Sequence, residues 1–418
     1  ILIVVDTLRV DRVGAVAAPG ATPFLARWFA DGIVYERAYS ASSWTVPSIA
    51  SLFLAQFPAT HQVRVVNAIL PEDSATLAEV LTAHGYVGGG FSTNLEITAD
   101  AGFGQGFDTF GLVFRPPKDD ARALNQAALE WLDEVAGRAQ PIFLYLQYME
   151  PHSPYRPHPG LTAPSTLATD DTVLTRRVNG GAFLLRDGQP LPAAWAFTPP
   201  ELERLRQLYD GEGAYLDAAL AALFAALDER GLLRDALVVV TADHGEQLGE
   251  HGMFSHGNTL FEETIHVPLL IRLPGAPQPA RVTEPVTLAG LAPAVLQHLR
   301  ILAPSAFQVP PLPLGASAEP RYVYSELLKE SPEFLLLHRQ AVMGRSTKLL
   351  VAEDGRQQFF DLSADPGEGH ALDDPDFAIP LRDALPPWTV DPSPTSPPAR
   401  IPIDDVTRER LRALGYTH

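Results

Sequence analysis

Cysteine is missing from all 418 residues, so neither a disulfide nor a thiolate metal site can form, and the redox compartment stays open. Positive charge is scarce: 31 Lys+Arg stand against 50 Asp+Glu, a formal net charge of −19. No basic stripe interrupts that balance, which argues against a nucleic-acid partner. Long apolar runs are lacking too, and none reaches the ~18 residues of a membrane span. The chain starts at Ile1 rather than Met, directly in an apolar strand. That start points to an N-terminal piece processed or trimmed away, where a signal peptide or anchor helix could have stood. No internal repeat is visible.

What is present is a composition that is 46% hydrophobic, enough for one large domain plus a smaller one. Residues 1–5, 141–148, 236–241 and 267–272 are β-branched or apolar runs of the kind buried on both faces of a parallel sheet. They alternate with helical patterns at 22–30, 76–84, 121–137 and 199–229. The order predicts an α/β fold: a doubly wound, mostly parallel central sheet flanked by helices. Residues 159–198 read as an irregular excursion shaping a rim, and 302–320 as a Pro-rich linker. Short antiparallel strands at 321–328, 341–343, 348–352 and 357–362, with a closing helix at 403–414, predict a smaller C-terminal α+β subdomain. The division is therefore 1–301, 302–320 and 321–418.

Chemistry-bearing residues gather at the ends of the predicted strands. Asp6 follows the first, His152 follows 141–148 in a proline-bracketed loop, and Asp243-His244 follows 236–241. Ligands of open α/β sheets lie at such carboxyl ends. The stretch from Ser42 to Ser51 is a loop of small hydroxyl residues, expected to become helical at Ser51. Thr45 within it is either a plain helix cap or a hydroxyl nucleophile activated by a cation. Asp6, Asp243, His244 and Thr45 form a ligand set for one divalent cation, with Zn or Mn favoured by the imidazole and Ca or Mg as alternatives. His152 and His256 are expected to line the same cleft as groups that bind ester oxygens or protonate the leaving group. His251, in a Gly-rich loop, is a weaker candidate.

Taken together, Val4-Val5-Asp6-Thr7-Leu8-Arg9, Thr22-Pro23, Tyr39-Ser40, Thr45-x-Pro47-Ser48 and Gly104-Gln105-Gly106-Phe107-Asp108 resemble the sulfatase family of the alkaline-phosphatase superfamily. Pro151-His152-x-Pro154-Tyr155, Thr241-x-Asp243-His244-Gly245-Glu246, His256-Gly257 and His266-Val267-Pro268-Leu269 continue the match. It closes with Phe360-Asp361-Leu362-x-x-Asp365-Pro366-Gly367-Glu368 and Leu411-Arg412-Ala413-Leu414-Gly415-Tyr416, in collinear order. The resemblance implies a metal-dependent ester hydrolase, exported or periplasmic, acting on a small-molecule, glycan or lipid-headgroup ester.

The departures narrow the chemistry. Sulfatases mature a Cys or Ser, in a Cys-x-Pro-Ser-Arg type motif, into formylglycine; here Thr45 stands at that position and Ile49 at the arginine. Oxidised threonine would be a poorly hydrating ketone. Plain threonine is similar instead to the nucleophile of phosphodiesterases, phosphoethanolamine transferases and phosphoglycerol transferases of the superfamily. Thr7 replaces the second of two adjacent aspartates, and Leu54-Ala55 the usual Thr-Gly. Ser92-Thr93-Asn94 replaces a Lys-x-His pair that contacts sulfate, leaving Asn94 as the substrate-binding candidate. Asp217 lacks the nearby histidine of two-zinc members, so one metal is expected. The alternatives are a sulfatase acting without formylglycine and a degenerate member that binds an anionic glycan or lipid headgroup.

Overall fold

The computed structural model describes residues 1–17, 20–65, 67–114, 120–181, 196–275, 279–315, 322–331, 334–386 and 400. The expected closing helix at 403–414 lies outside them. The main sheet is built from β1 (Leu2–Val5), β2 (Ile33–Tyr39), β3 (Val87–Ser92), β4 (Thr109–Leu112), β5 (Ile142–Tyr148) and β6 (Val238–Ala242). After a small hairpin of β7 (Gln247–Leu248) and β8 (Phe254–Ser255), it gains β9 (His266–Arg272), β10 (Ala280–Val282) and β11 (Val286–Thr287). Its order is β10-β2-β9-β6-β1-β5-β3-β4, with β11 also on β2. The fold is α/β with a mostly parallel central sheet, and β1 runs parallel to both β5 and β6.

The last apolar run departs from the parallel pattern: β9 is antiparallel to β2 and β6. The reason is local. The chain leaves β6, builds the loops above the sheet, and re-enters from the same end through the short helix Glu262–Ile265. No crossover carries it back to the opposite end, so it can only run antiparallel. Pro268 sits inside this central strand, where a missing N–H would break a ladder. The β2 partner bulges there, between Tyr35 and Ala38.

Helices pack in two groups. Pro23–Trp28 and Ala121–Glu134 both pack on the 31-residue Pro199–Glu229, whereas Thr45–Leu54 touches Leu77–Ala83 and Leu291–His298. Two expectations are corrected here. The helix expected from Ser51 begins six residues earlier, at Thr45, with extended Trp44 as its cap. The stretch 159–198 is not wholly irregular, because Asp171–Gly181 is helical and packs on Pro199–Glu229; 182–195 lie outside the described residues. Arg204 clamps the two helices through both carboxylate oxygens of Asp171.

A second, antiparallel sheet follows, in the order β12 (Val323–Ser331), β13 (Phe334–Met343), β14 (Thr347–Val351) and β15 (Gln357–Asp361). The segment before it is not a free tether. Gln308 and Val309 both donate N–H to Ala55 O, and Tyr35 Oη donates to Pro313 O. Ala55 itself ends the Thr45–Leu54 helix at φ 50°, a left-handed position that favours the glycine expected of the family.

One buried pair carries a pH prediction. His61 Nδ1 accepts from Val63 N–H, so its Nε2–H donates to Ser51 Oγ; burial pushes the imidazole down to about 3. Its neutral form stabilises the fold fully above the unfolded value of about 6.5, and that contribution is lost as pH falls towards 3. Between pH 7.5 and 5, His61 should therefore remove about 2 kcal/mol. Urea midpoints at the two pH values measure the loss, and His61→Gln should flatten the difference.

Candidate active site

Four neighbouring strands, β6, β1, β5 and β3, deliver the site from their carboxyl ends. Asp6 follows β1 and extends its ladder by donating N–H to Tyr148 O. Asp243 and His244 follow β6, the loop with His152 follows β5, and Asn94 follows β3. Asp6 and Asp243 thus share one end of the sheet, and with His244 they form a buried cluster whose ligand atoms lie within 4.8 Å of one another. Gly245 is required next: a Cβ there would fall 2.0 Å from Glu263 O.

Thr45 joins the cluster from the first turn of its helix. Its Oγ1 stands 3.2 Å from His244 Nε2 and 3.5 Å from Asp6 Oδ2. The cap reading of Thr45 finds no support, because the cap is Trp44 and has no side-chain bond. Ser48 and Ser40 point elsewhere, both donating to Ser42 O.

The donor set fits a cation on its own evidence of strain. Asp6 Oδ1 and Asp243 Oδ2 are buried without a hydrogen bond, each 3.6 Å from His244 Nε2. The Nδ1–H of His244 donates to Gly245 O, leaving Nε2 with its lone pair towards both oxygens. Burial, and then repulsion from Asp243, pushes the Asp6 carboxyl well up; burial also raises Asp243. Buried carboxylates in such proximity call for positive charge. Thr7, at the position of the family's second aspartate, contributes backbone instead: at φ 57° its N–H donates to Asp243 Oδ1.

His152 and His256 line the same space. Their ring centroids are 5.0 Å apart, and His256 lies 4.4 Å from His244. His152 Nδ1–H donates to Ser153 O and His256 Nδ1–H to Glu246 Oε1, which fixes the orientation of each ring. Burial, then His256, lowers His152 to about 3; burial, then His244 and Lys329, lowers His256 well below its ordinary value. Asn94, expected to face substrate, spends its amide inside the protein. Its Nδ2 donates to Asp6 Oδ2 at 2.7 Å and its Oδ1 accepts from Glu96 N–H.

Other candidates lie apart. Asp217 accepts N–H from Phe24 and Leu25, capping the Pro23–Trp28 helix. His251 stacks on Phe261 and faces Glu263. Sequence reasoning passed over Glu246, which anchors His256, although it stands two residues beyond His244 in the quoted motif. It also passed over Glu96 and Lys329, which carry no motif signal.

The profile described as Sulfatase matches residues 1–301. The chain belongs to the sulfatase family. Among curated relatives of this family member, arylsulfatase K of Bos taurus is 27% identical over 402 residues, covering 83% of this chain and 72% of the relative. Arylsulfatase K of Gallus gallus is 26% identical over 399 residues, 83% and 73% of the two chains. A protein solved in complex with its substrate D-glucosamine-2-N,6-O-disulfate has a TM-score of 0.73 at 16% identity, over 99% of this chain and 97% of that one. A phosphonate monoester hydrolase from Silicibacter pomeroyi has a TM-score of 0.69 at 21% identity, over 92% and 93%. These two structural likenesses establish a shared fold.

Proposed function

We propose that this sulfatase-family hydrolase cleaves phosphate or phosphonate esters, or passes the phosphoryl group to an alcohol, with Thr45 as nucleophile. The observation that carries the reading is Thr45 Oγ1, aimed at His244 Nε2 and Asp6 Oδ2 rather than at its own helix backbone. Asp6, Asp243, His244 and Thr45 would hold one divalent cation, Zn or Mn by donor type. When bound, it would lower the pKa of the hydroxyl and draw in an anionic ester oxygen.

The chain's own groups divide the remaining work. Thr45 Oγ1, ionised by loss of its proton to solvent, attacks phosphorus in line, the bond to the leaving oxygen breaks, and a phosphorylated Thr45 forms. An arriving anion raises the proton affinity of His152 and His256. Both already commit Nδ1–H to a carbonyl or carboxylate, so the added proton resides on Nε2, from which it can pass to the leaving oxygen. Water then attacks the same phosphorus, one imidazole takes its proton, and the bond to Thr45 Oγ1 breaks.

A second reading, sulfate-ester hydrolysis, is favoured by the arylsulfatase relatives. Against it, a sulfated threonine lacks the collapse to an aldehyde by which a formylglycine hydrate expels sulfate. With cation supplied, bis(4-nitrophenyl) phosphate and 4-nitrophenyl phenylphosphonate should exceed 4-nitrophenyl sulfate by roughly a hundredfold or more in kcat/KM. The reverse order would establish the sulfate reading. No turnover on any ester, with cation bound, would leave a protein that only binds an anionic glycan or lipid headgroup.

A further inference from the structure

The turn that carries His244 packs on a second group of ionisable side chains. Gly245 donates N–H to Thr264 O at 2.9 Å, and its missing Cβ makes room for Glu263 O. The short helix Glu262–Ile265 that makes these contacts brings Glu263 beside two residues from elsewhere in the chain. His251, Glu263 and Glu368 each offer one ligand atom, and these atoms all lie within 4.8 Å of one another. His251 belongs to the Gly-rich loop, and Glu368 closes Asp365-Pro366-Gly367-Glu368. The chemistry around Thr45 uses neither stretch. The His251 ring stacks on Phe261, with centroids 3.8 Å apart and planes 9° apart, which fixes the direction of its nitrogens.

Positive charge here falls short of the carboxylates. The buried ammonium of Lys348 is shared between Glu262 Oε1 at 3.1 Å and Glu368 Oε1 at 2.8 Å. Glu368 Oε2 accepts N–H from Glu262, yet burial still pushes this carboxyl up to about 7 against the pull of Lys348. Glu263 fares worse. Among the described residues its one ion pair is with His251, whose Nε2 stands 3.5 Å from Oε1, longer than a charge-assisted hydrogen bond. Its other oxygen, Oε2, is buried with no hydrogen bond, in a side chain only 9% exposed. Such an atom calls for a positive partner. Glu263 also borders a cleft of about 660 Å³, together with Pro366 and Gly367 next to Glu368, so a small ion has a way in.

We propose that His251, Glu263 and Glu368 form a second metal site, separate from the cluster around Asp6, that takes one divalent ion of the Zn or Mn class. One imidazole and two carboxylates are donors that suit this class, and water from the cleft would complete the shell. A carboxylate oxygen has two lone pairs, so Glu368 Oε1 can keep Lys348 and still face the ion. The ion would brace three segments against one another: the His251 loop, the helix Glu262–Ile265 and the stretch ending at Glu368. This role takes no part in ester chemistry and does not rest on the reading of Thr45. The alternative is an imidazolium shared by the two carboxylates; against burial, Glu263 and then Glu368 raise His251. That arrangement needs no metal and predicts none.

The test uses the full chain with Asp243→Asn, which weakens the cluster around Asp6, alone or combined with Glu263→Gln or His251→Gln. Each protein is stripped with chelator, loaded with Zn or Mn alone, desalted and analysed for metal. The Asp243→Asn protein should retain about one equivalent, and either second substitution should remove it. Calorimetry should read a loss of affinity of about a hundredfold or more. Zn at roughly a hundred times its Kd should raise the melting temperature of Asp243→Asn by about 2–4 °C, and that of either double variant by less than about 1 °C. His251→Gln decides the matter if Glu263→Gln fails to fold. No metal on the Asp243→Asn protein, or equal metal on all three, overturns the assignment. A wild type holding no more metal than Asp243→Asn would count against the Asp6 cluster alone.

Discussion

Thr45→Ala should lose at least about a thousandfold in kcat while its melting temperature stays within a few degrees of wild type. The asymmetry follows from geometry. Thr45 is the first helical residue, and its hydroxyl serves no helix N–H, so truncation leaves the helix start and its Trp44 cap in place. A capping threonine would behave the other way, costing about 1 kcal/mol of stability and no turnover. Thr45→Ser should stay active, since its hydroxyl occupies the same position. Rapid acid quench during phosphodiester turnover should reveal added phosphoryl mass on the peptide that holds Trp44, Thr45 and Val46. Full activity in the alanine variant, with no adduct in the wild type, would remove Thr45 from the mechanism and leave only the fold.

Asp243→Asn should act with opposite signs in the two states of the protein. Its Oδ1 accepts from His244 N–H and Thr7 N–H, and an asparagine carbonyl can keep both bonds. The other atom changes from a buried oxygen without a partner, in a pocket shared with Asp6 Oδ1, to an amide that can donate. In chelator-treated protein this relieves the repulsion that Asp243 exerts on Asp6 and the desolvation of Asp243 itself, so the variant should melt higher, by about 1–3 kcal/mol of stability. In the presence of Zn or Mn it should instead weaken cation affinity beyond the ~10–100-fold typical of an outer hydrogen-bond partner, and abolish turnover. Melting curves with and without chelator, together with metal analysis after dialysis, read both signs. A variant less stable than wild type after chelation would mean that the oxygens are satisfied without a cation.

The central strands and the clustering of Asp6, Asp243 and His244 were legible because each residue there answers to a local rule. Ile1–Val5 is a run that only a doubly covered strand tolerates, and Asp6 and Asp243 mark where such strands end. The direction of β9 was not legible, because its apolar run looks the same whichever way it pairs. The helix start at Thr45 was missed since Pro47 and four serines suggested a loop, whereas proline is tolerated in a first turn. Asn94 was assigned to substrate by analogy with the family's polar pair at that position, and only the folded chain reveals its bond to Asp6. Lys329 acts on His256 from 73 residues further along the chain, and no spacing rule reaches that far.

The place of β1 in the main sheet has a consequence during synthesis. This strand precedes the others in the chain but lies in the sheet interior, between β5 and β6. Its first partner is at residues 142–148 and its second at 238–242. At roughly 5–20 residues per second, the ribosome delivers the second partner on the order of 10–50 s after the first strand. Through that interval Leu2–Val5 remains an apolar segment with at least one open edge, a binding site for holding chaperones and a seed for aggregation. Yield in a cell should therefore depend on translation speed and chaperone supply as much as on the stability of the finished molecule.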